Sequence, residues 1–204
     1  MKYATVWLSA VCIIMFILQL IFPSITDNLV LNQQSFSQPY RFVTSIFLHG
    51  SFSHLLFNLF ALVMFGLILE SLIGSRKFLL IFFVSGISAN LIAVNFYSSS
   101  LGASGAIYGI IGALAVLRPL MTVWAFSLPL PMFVASIIWI VLGVIGIFNP
   151  TDNTGYIAHL SGIVFGAIFG LIFKLRNKQE KIRKQKLHIP EEYMQRWEDV
   201  YIRR

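Results

Sequence analysis

Apolar runs long enough to cross a bilayer alternate along this chain with short polar or charged segments. Read by length, they predict six membrane spans at about 4–22, 52–72, 77–95, 103–118, 130–147 and 156–174. The connections are then 23–51, Gly74-Ser75-Arg76, 96–102, 119–129 and 148–155. The first run lacks a small-residue cleavage site and reads as a span, not a removable signal. The fourth is short. Ala103 to Leu117 covers 15 residues, roughly 22 Å at 1.5 Å per residue, against about 30 Å of hydrocarbon. Pro119 ends it on the cytoplasmic side. Ser104, at its start, is therefore expected several ångströms below the outer interface, with residues 95–101 dipping in to meet it. Irregular backbone at that depth is tolerated only where protein or a water-filled cavity satisfies it, so a cavity opening outward is expected.

Composition agrees with the pattern. The chain has 204 residues, is 57% hydrophobic and 11% charged, and has a mean hydropathy of +0.80, far from a soluble domain. The net charge of +7 does not read as nucleic-acid affinity. Ten of the 15 Lys and Arg residues lie between Lys174 and Arg204. A cytoplasmic N-terminus puts Lys2, Arg76, Lys77, Arg118 and the tail inside and only Arg41 outside. That asymmetry is a topology signal, with some attraction to anionic membrane lipids, and it places both termini in the cytoplasm. Cys12, the sole cysteine, falls within the first span and reads as packing. The expected organisation is an all-α polytopic membrane domain over 1–175 and a basic cytoplasmic tail over 176–204. In the tail, Pro190-Glu191-Glu192 and Arg203-Arg204 mark the ends of a helix. Tyr193, Met194, Trp197, Val200 and Tyr201 give it one apolar stripe, suited to the membrane surface or to a partner.

Polar residues inside spans are costly and so are functional candidates. Ser104 in Gly102-Ala103-Ser104-Gly105 and His159 at the head of the sixth span are the minimum pair for an activated nucleophile. His159 is the one histidine in the last four spans, and no acid is placed to complete a triad, so a dyad is expected. Gly105, Gly109 and Gly112 make one small-residue stripe and Gly162, Gly166 and Gly170 another, which would let the fourth and sixth helices pack closely and bring serine to imidazole. Tyr108, at i+4 from Ser104, could lie against that imidazole or simply pack. His54 and Asn58, also i,i+4, sit near the outer end of an apolar span. They could donate to an oxyanion with the Ser104 N–H, or clasp one another. His49 is expected in the interfacial loop, supporting His54 by hydrogen bonding, and His188 is expected to be solvated. No spacing suits a metal or an organic cofactor, and His49 with His54 is too sparse to hold an ion.

Taken together, Gly102-Ala103-Ser104-Gly105 with Tyr108, His54-Leu55-Leu56-Phe57-Asn58, Glu70, and Ala158-His159 leading into Gly162 and Gly166 resemble the rhomboid intramembrane serine proteases. The resemblance covers roughly 1–175. It implies a six-transmembrane-helix rhomboid-like bundle with the fourth helix starting inside the membrane. It also implies that Ser104 is the nucleophile and His159 the base, and that His54, Asn58 and the Ser104 amide form the oxyanion hole. Tyr108 would stack beside His159, Gly102 would keep the turn into the helix tight, and Glu70 would tie the second span to its neighbours. Where many members carry Trp-Arg in the first outer loop, this chain has Tyr40-Arg41. Residues 23–51 would form a partly embedded loop, and the fifth span with 148–155 would gate lateral access for transmembrane-segment substrates. The absence of an organelle-targeting segment and the six-span form point to a prokaryotic plasma membrane. The alternatives are an inactive rhomboid-like protein that binds membrane clients, a small transporter, which the lack of an internal repeat disfavours, and a membrane esterase or acyltransferase.

Overall fold

Apolar segments that leave water must satisfy their backbone N–H and C=O groups internally, and helices carry most of this chain. The computed structural model describes residues 3–149, 154–187 and 191–202. Its helices are α1 (Ala4–Ile21), α2 (Ser24–Leu29), α3 (Arg41–Thr44), α4 (Phe52–Ile73), α5 (Ser75–Ala93), α6 (Ser104–Leu117), α7 (Met132–Phe148), α8 (Tyr156–Leu187) and α9 (Glu191–Tyr201). Among the described residues four segments are long and apolar enough to cross a membrane: α1, α4, α5 and Tyr156–Arg176 of α8. Helices α6 and α7 are apolar but shorter, with 14 and 17 residues. The chain is an integral membrane protein.

The chain divides into two compact units, Met1–Leu171 and Ile172–Arg204. In the first, α6 lies at the centre: Gly105, Ile107, Ile110, Ala113 and Leu114 are all buried, as befits a helix apolar on every side. Small residues set its distance to its neighbours. A Cβ added at Gly105 would stand 2.8 Å from the Ala89 Cβ of α5. On α8, one added at Gly162 or Gly166 would collide with the carbonyl oxygens of Gly105 and Gly109.

One side chain of α4 ties the start of α1 to it. The Glu70 carboxylate accepts the Ala4 and Thr5 N–H groups at 2.7 and 2.9 Å and the Thr5 hydroxyl at 2.7 Å, satisfying donors that the start of α1 leaves unpaired. It also accepts the Ser75 hydroxyl at 2.6 Å. The turn between α4 and α5 is Gly74, with φ +80. An added Cβ there would meet nothing within 4 Å, so backbone conformation alone calls for glycine.

The connection from α1 to α4 is ordered by buried polar groups. The Arg41 guanidinium donates to the Asp27 and Val30 carbonyls at 2.8 and 3.0 Å and to Gln38 at 2.7 Å. The Asn90 amide of α5 donates to the Phe42 carbonyl at 2.9 Å and to the Ser45 hydroxyl at 3.0 Å. Two short strands, β1 (Leu31–Asn32) and β2 (Ser99–Ser100), pair antiparallel and attach this connection to the segment that leads into α6.

Several boundaries differ from expectation: α5 begins at Ser75, inside the expected Gly74-Ser75-Arg76 connection, and ends at Ala93. Residues 119–129, expected as a plain connection, contain a hairpin of β3 (Thr122–Ala125) and β4 (Leu128–Pro131), so α7 starts at Met132 and not at 130. Its turn residues, Phe126 and Ser127, both have positive φ, at 55 and 62. Neither is the Asn or Gly by which such a turn is normally recognised, which is why the sequence pattern hides it. Helix α8 continues to Leu187, past the expected end of the span at 174, because the basic stretch that follows is still helix-favouring. In the second unit, α9 exposes Tyr193, Trp197, Val200 and Tyr201, with the Trp197 and Tyr201 rings 5.5 Å apart. Lys2, Asp152, His188, Pro190, Arg203 and Arg204, and the Met194 side chain, lie outside the described residues.

Candidate active site

Ser104 opens α6 and His159 lies in the first turn of α8. The glycine stripes bring the two helices to backbone contact, and the Ser104 Oγ stands 2.8 Å from His159 Nε2. The ring of Tyr108, one turn on from Ser104, stacks on the imidazole with centroids 4.2 Å apart and planes 16° from parallel. Tyr156, three residues before His159, meets the imidazole edge-on at 6.4 Å. The sequence reading passed over Tyr156, although its i,i+3 spacing from His159 was available as a signal.

A second group of polar residues faces the same space from α4. The Ser51 hydroxyl caps this helix by accepting the His54 N–H at 3.1 Å. Asn58 is buried and donates through Nδ2 to the His54 carbonyl at 3.1 Å. An amide has two N–H donors, so one remains for another acceptor. Gly102 closes the gap to α6. Its φ is +122, and a Cβ there would stand 2.8 Å from the His54 ring. Its N–H donates to the Ser45 carbonyl at 2.9 Å, so the α1–α4 connection holds the turn in place. The Tyr97 hydroxyl in the same segment accepts the Ile157 N–H at 3.1 Å and fixes the start of α8.

These side chains line one cavity of about 1040 Å³ that includes His54, Asn58, Gly102, Ser104, Tyr108 and His159. Phe65, Ile111 and Trp139 line it farther along α4, α6 and α7. The Ser104 N–H belongs to the first turn of α6, where N–H groups have no intrahelical acceptor and the helix dipole favours negative charge. A hydroxyl–imidazole pair beside two sources of N–H donors is the arrangement acyl transfer requires. Among the described residues no group of three His, Cys, Asp or Glu side chains could hold a metal ion.

His49 departs from expectation. It lies behind the site, only 2% exposed, and neither ring nitrogen has a hydrogen-bond partner among the described residues. Its ring instead meets His54 edge-on at 5.1 Å. Support for its position comes from the backbone: the His49 N–H donates to Gln19 at 3.0 Å, and the Gln19 amide donates to the His49 carbonyl at 3.3 Å. Burial pushes the His49 imidazole down to about 4, and the neighbouring His54 adds to the shift.

Comparison with known proteins gives a consistent result. Residues 37–176 match the family model described as "Rhomboid domain". The chain is 32% identical over 157 residues to "Rhomboid protein 1, mitochondrial" of Saccharomyces cerevisiae, covering 70% of this chain and 44% of that protein. It is 38% identical over 130 residues to "Rhomboid protease GluP" of Bacillus subtilis, covering 63% of this chain and 25% of that one. With "Rhomboid protease GlpG" of Haemophilus influenzae it shares 27% identity over 191 residues, covering 90% and 94% of the two chains. The chain thus spans less than half the length of the Saccharomyces and Bacillus relatives.

Proposed function

The chain belongs to the rhomboid family, and from that premise we propose that it is an intramembrane serine endopeptidase acting through a Ser104–His159 dyad. The observation that carries the proposal is the 2.8 Å approach of Ser104 Oγ to His159 Nε2 inside a cavity, at the head of a helix only 14 residues long. In this reading neutral His159 takes the Ser104 proton as Oγ attacks the scissile carbonyl carbon. The oxygen that becomes negative receives hydrogen bonds from the Ser104 N–H, the Asn58 amide and the His54 ring. The C–N bond then breaks, His159 gives its proton to the leaving amine, and an ester on Ser104 remains. Water, deprotonated by His159, hydrolyses the ester and restores the serine. Tyr108 holds the imidazole plane, His49 backs His54, and Gly102 keeps the turn against His54.

The substrates are transmembrane segments of other membrane proteins. Their peptide bonds are hydrogen-bonded within a helix, so segments weakened by Gly, Pro, Ser or Ala unwind most readily at Ser104. Helix α7 gates lateral access from the lipid, while residues 150–153 of the expected cap lie outside the described residues. Six spans cross a prokaryotic plasma membrane, with α6 starting inside the bilayer, the cavity open to the outer face and both termini cytoplasmic. Residues 1–175 form the protease domain and 176–204 a cytoplasmic tail.

An organophosphorus serine reagent tests the reading. Applied to the protein in liposomes, it should modify Ser104, as located by mass spectrometry, and no other serine. If Ser104 stays unmodified while the protein still binds a reporter span, the chain is a client-binding member of the family and not a protease.

A further inference from the structure

The β3–β4 hairpin carries a feature that a plain connection would not need. Its two turn residues, Phe126 and Ser127, both adopt left-handed φ, which asparagine and glycine accept far more readily than phenylalanine. Backbone outliers of this kind persist where the surroundings hold them. What holds this one is a ring. Phe126 lies 5.7 Å from Trp139 of α7, and Trp139 in turn meets Phe65 of α4 edge-on at 5.8 Å and 88°. Three rings thus run from the hairpin tip through α7 to α4. Trp139 and Phe65 also line the cavity that Ser104 lines.

The hairpin is fastened to α7 at its base and meets it again at its tip. Val123 and Ala125 are buried, while Trp124 and Leu128 on the same hairpin are exposed, and no charged residue occurs from Pro119 to Phe148. Its base is fastened by the Met132 N–H donating to the Met121 carbonyl at 2.8 Å and the Phe133 N–H donating to the Pro119 carbonyl at 3.0 Å. The tip reaches Trp139, two turns into α7. We propose that Phe126 is a positioning residue: its ring latches Trp139 against Phe65, holds α7 close to α4 beside the cavity, and so sets how readily a transmembrane segment parts these helices. The inference rests on the reading that spans reach Ser104 laterally past α7. An Asn-Gly turn would join the strands with less strain, and the ring contact is what Phe126 adds.

The test separates ring from turn and uses the full chain in liposomes with Ser104→Ala, so that association is read without chemistry. Energy transfer would follow the association rate of a labelled Gly/Ala-rich single-span peptide. Phe126→Asn with Ser127→Gly keeps a favourable two-residue turn and removes the ring, and it should speed association about threefold to tenfold. Ser127→Gly alone and Phe126→Tyr keep the ring and should match the parent. With Ser104 present, cleavage of a short water-soluble peptide should be the same in all four proteins, since that substrate does not part the helices. Equal association by the double variant and the parent would overturn the latch, as would an equal gain from Ser127→Gly alone. Because the association assay needs no catalysis, its result stands whatever the labelling of Ser104 says about the protease reading.

Discussion

Gly166 of α8 lies directly against the Gly109 carbonyl of α6, and this contact underlies the approach of Ser104 to His159 across 55 residues of sequence. The pair is held by backbone packing and not by a flexible loop. A side chain at the contact must therefore push the helices apart before it changes anything else.

Gly166→Leu is expected to destabilise the protein by about 3 kcal/mol or more, since the obstruction is backbone and cannot rotate away. In whatever fraction still folds, organophosphorus labelling of Ser104 should fall sharply. Thermal unfolding in detergent and labelling of the folded fraction check the two effects separately.

Gly102→Ala meets two obstacles, a positive φ and the His54 ring. The strain is worth about 1–2 kcal/mol. Moving the ring should cost far more in rate than in stability, about a hundredfold in kcat, the scale of losing one oxyanion donor. Kinetics on a span substrate should show kcat lowered with KM little changed. Asn58→Ala should behave similarly without the conformational strain.

Glu70 sits 16 residues from His54 on α4, at the other end of the helix. Glu70→Ala strands the Ala4 and Thr5 N–H groups and the Thr5 and Ser75 hydroxyls. Stability should drop by about 3 kcal/mol or more, whereas kcat measured well below the unfolding temperature should stay near that of the parent. Equilibrium unfolding alongside low-temperature kinetics distinguishes this from a catalytic role.

His49 predicts the sign of a pH effect. Its imidazole is held down to about 4 in the folded protein, from an ordinary 6.5, so the unfolded chain binds the proton more readily. Stability should be unaffected above pH 6.5 and fall as pH drops from 6.5 towards 4, on the order of 3 kcal/mol in all. His49→Asn should flatten that window in unfolding titrations.

Much of the candidate site is legible because buried polarity is conspicuous in an apolar chain. Ser104, His159, His54 and Asn58 stand out against their spans, and the glycine stripes named the two helices that bring serine to imidazole. Glu70 was flagged as a tie, although its four donors could be found only in three dimensions. Gln19, Ser45 and Tyr97 were missed because each acts through a distant backbone group, which leaves no periodic trace. The hairpin was missed because Phe126-Ser127 carries no turn signal, and the expected hydrogen bond of His49 gave way to burial beside His54. The 32 residues of α8 outran the span because hydropathy marks where the lipid stops, not where the helix does.

The most direct measurement is cleavage of a Gly/Ala-rich single-span reporter in liposomes by the parent, Ser104→Ala and His159→Ala. The parent should cut the reporter within its transmembrane segment, and each substitution should lower the rate at least about a thousandfold with the fold retained. Undiminished cleavage by either variant, or none by a folded parent that admits the reporter, would contradict the assignment of Ser104 and His159 as an intramembrane dyad.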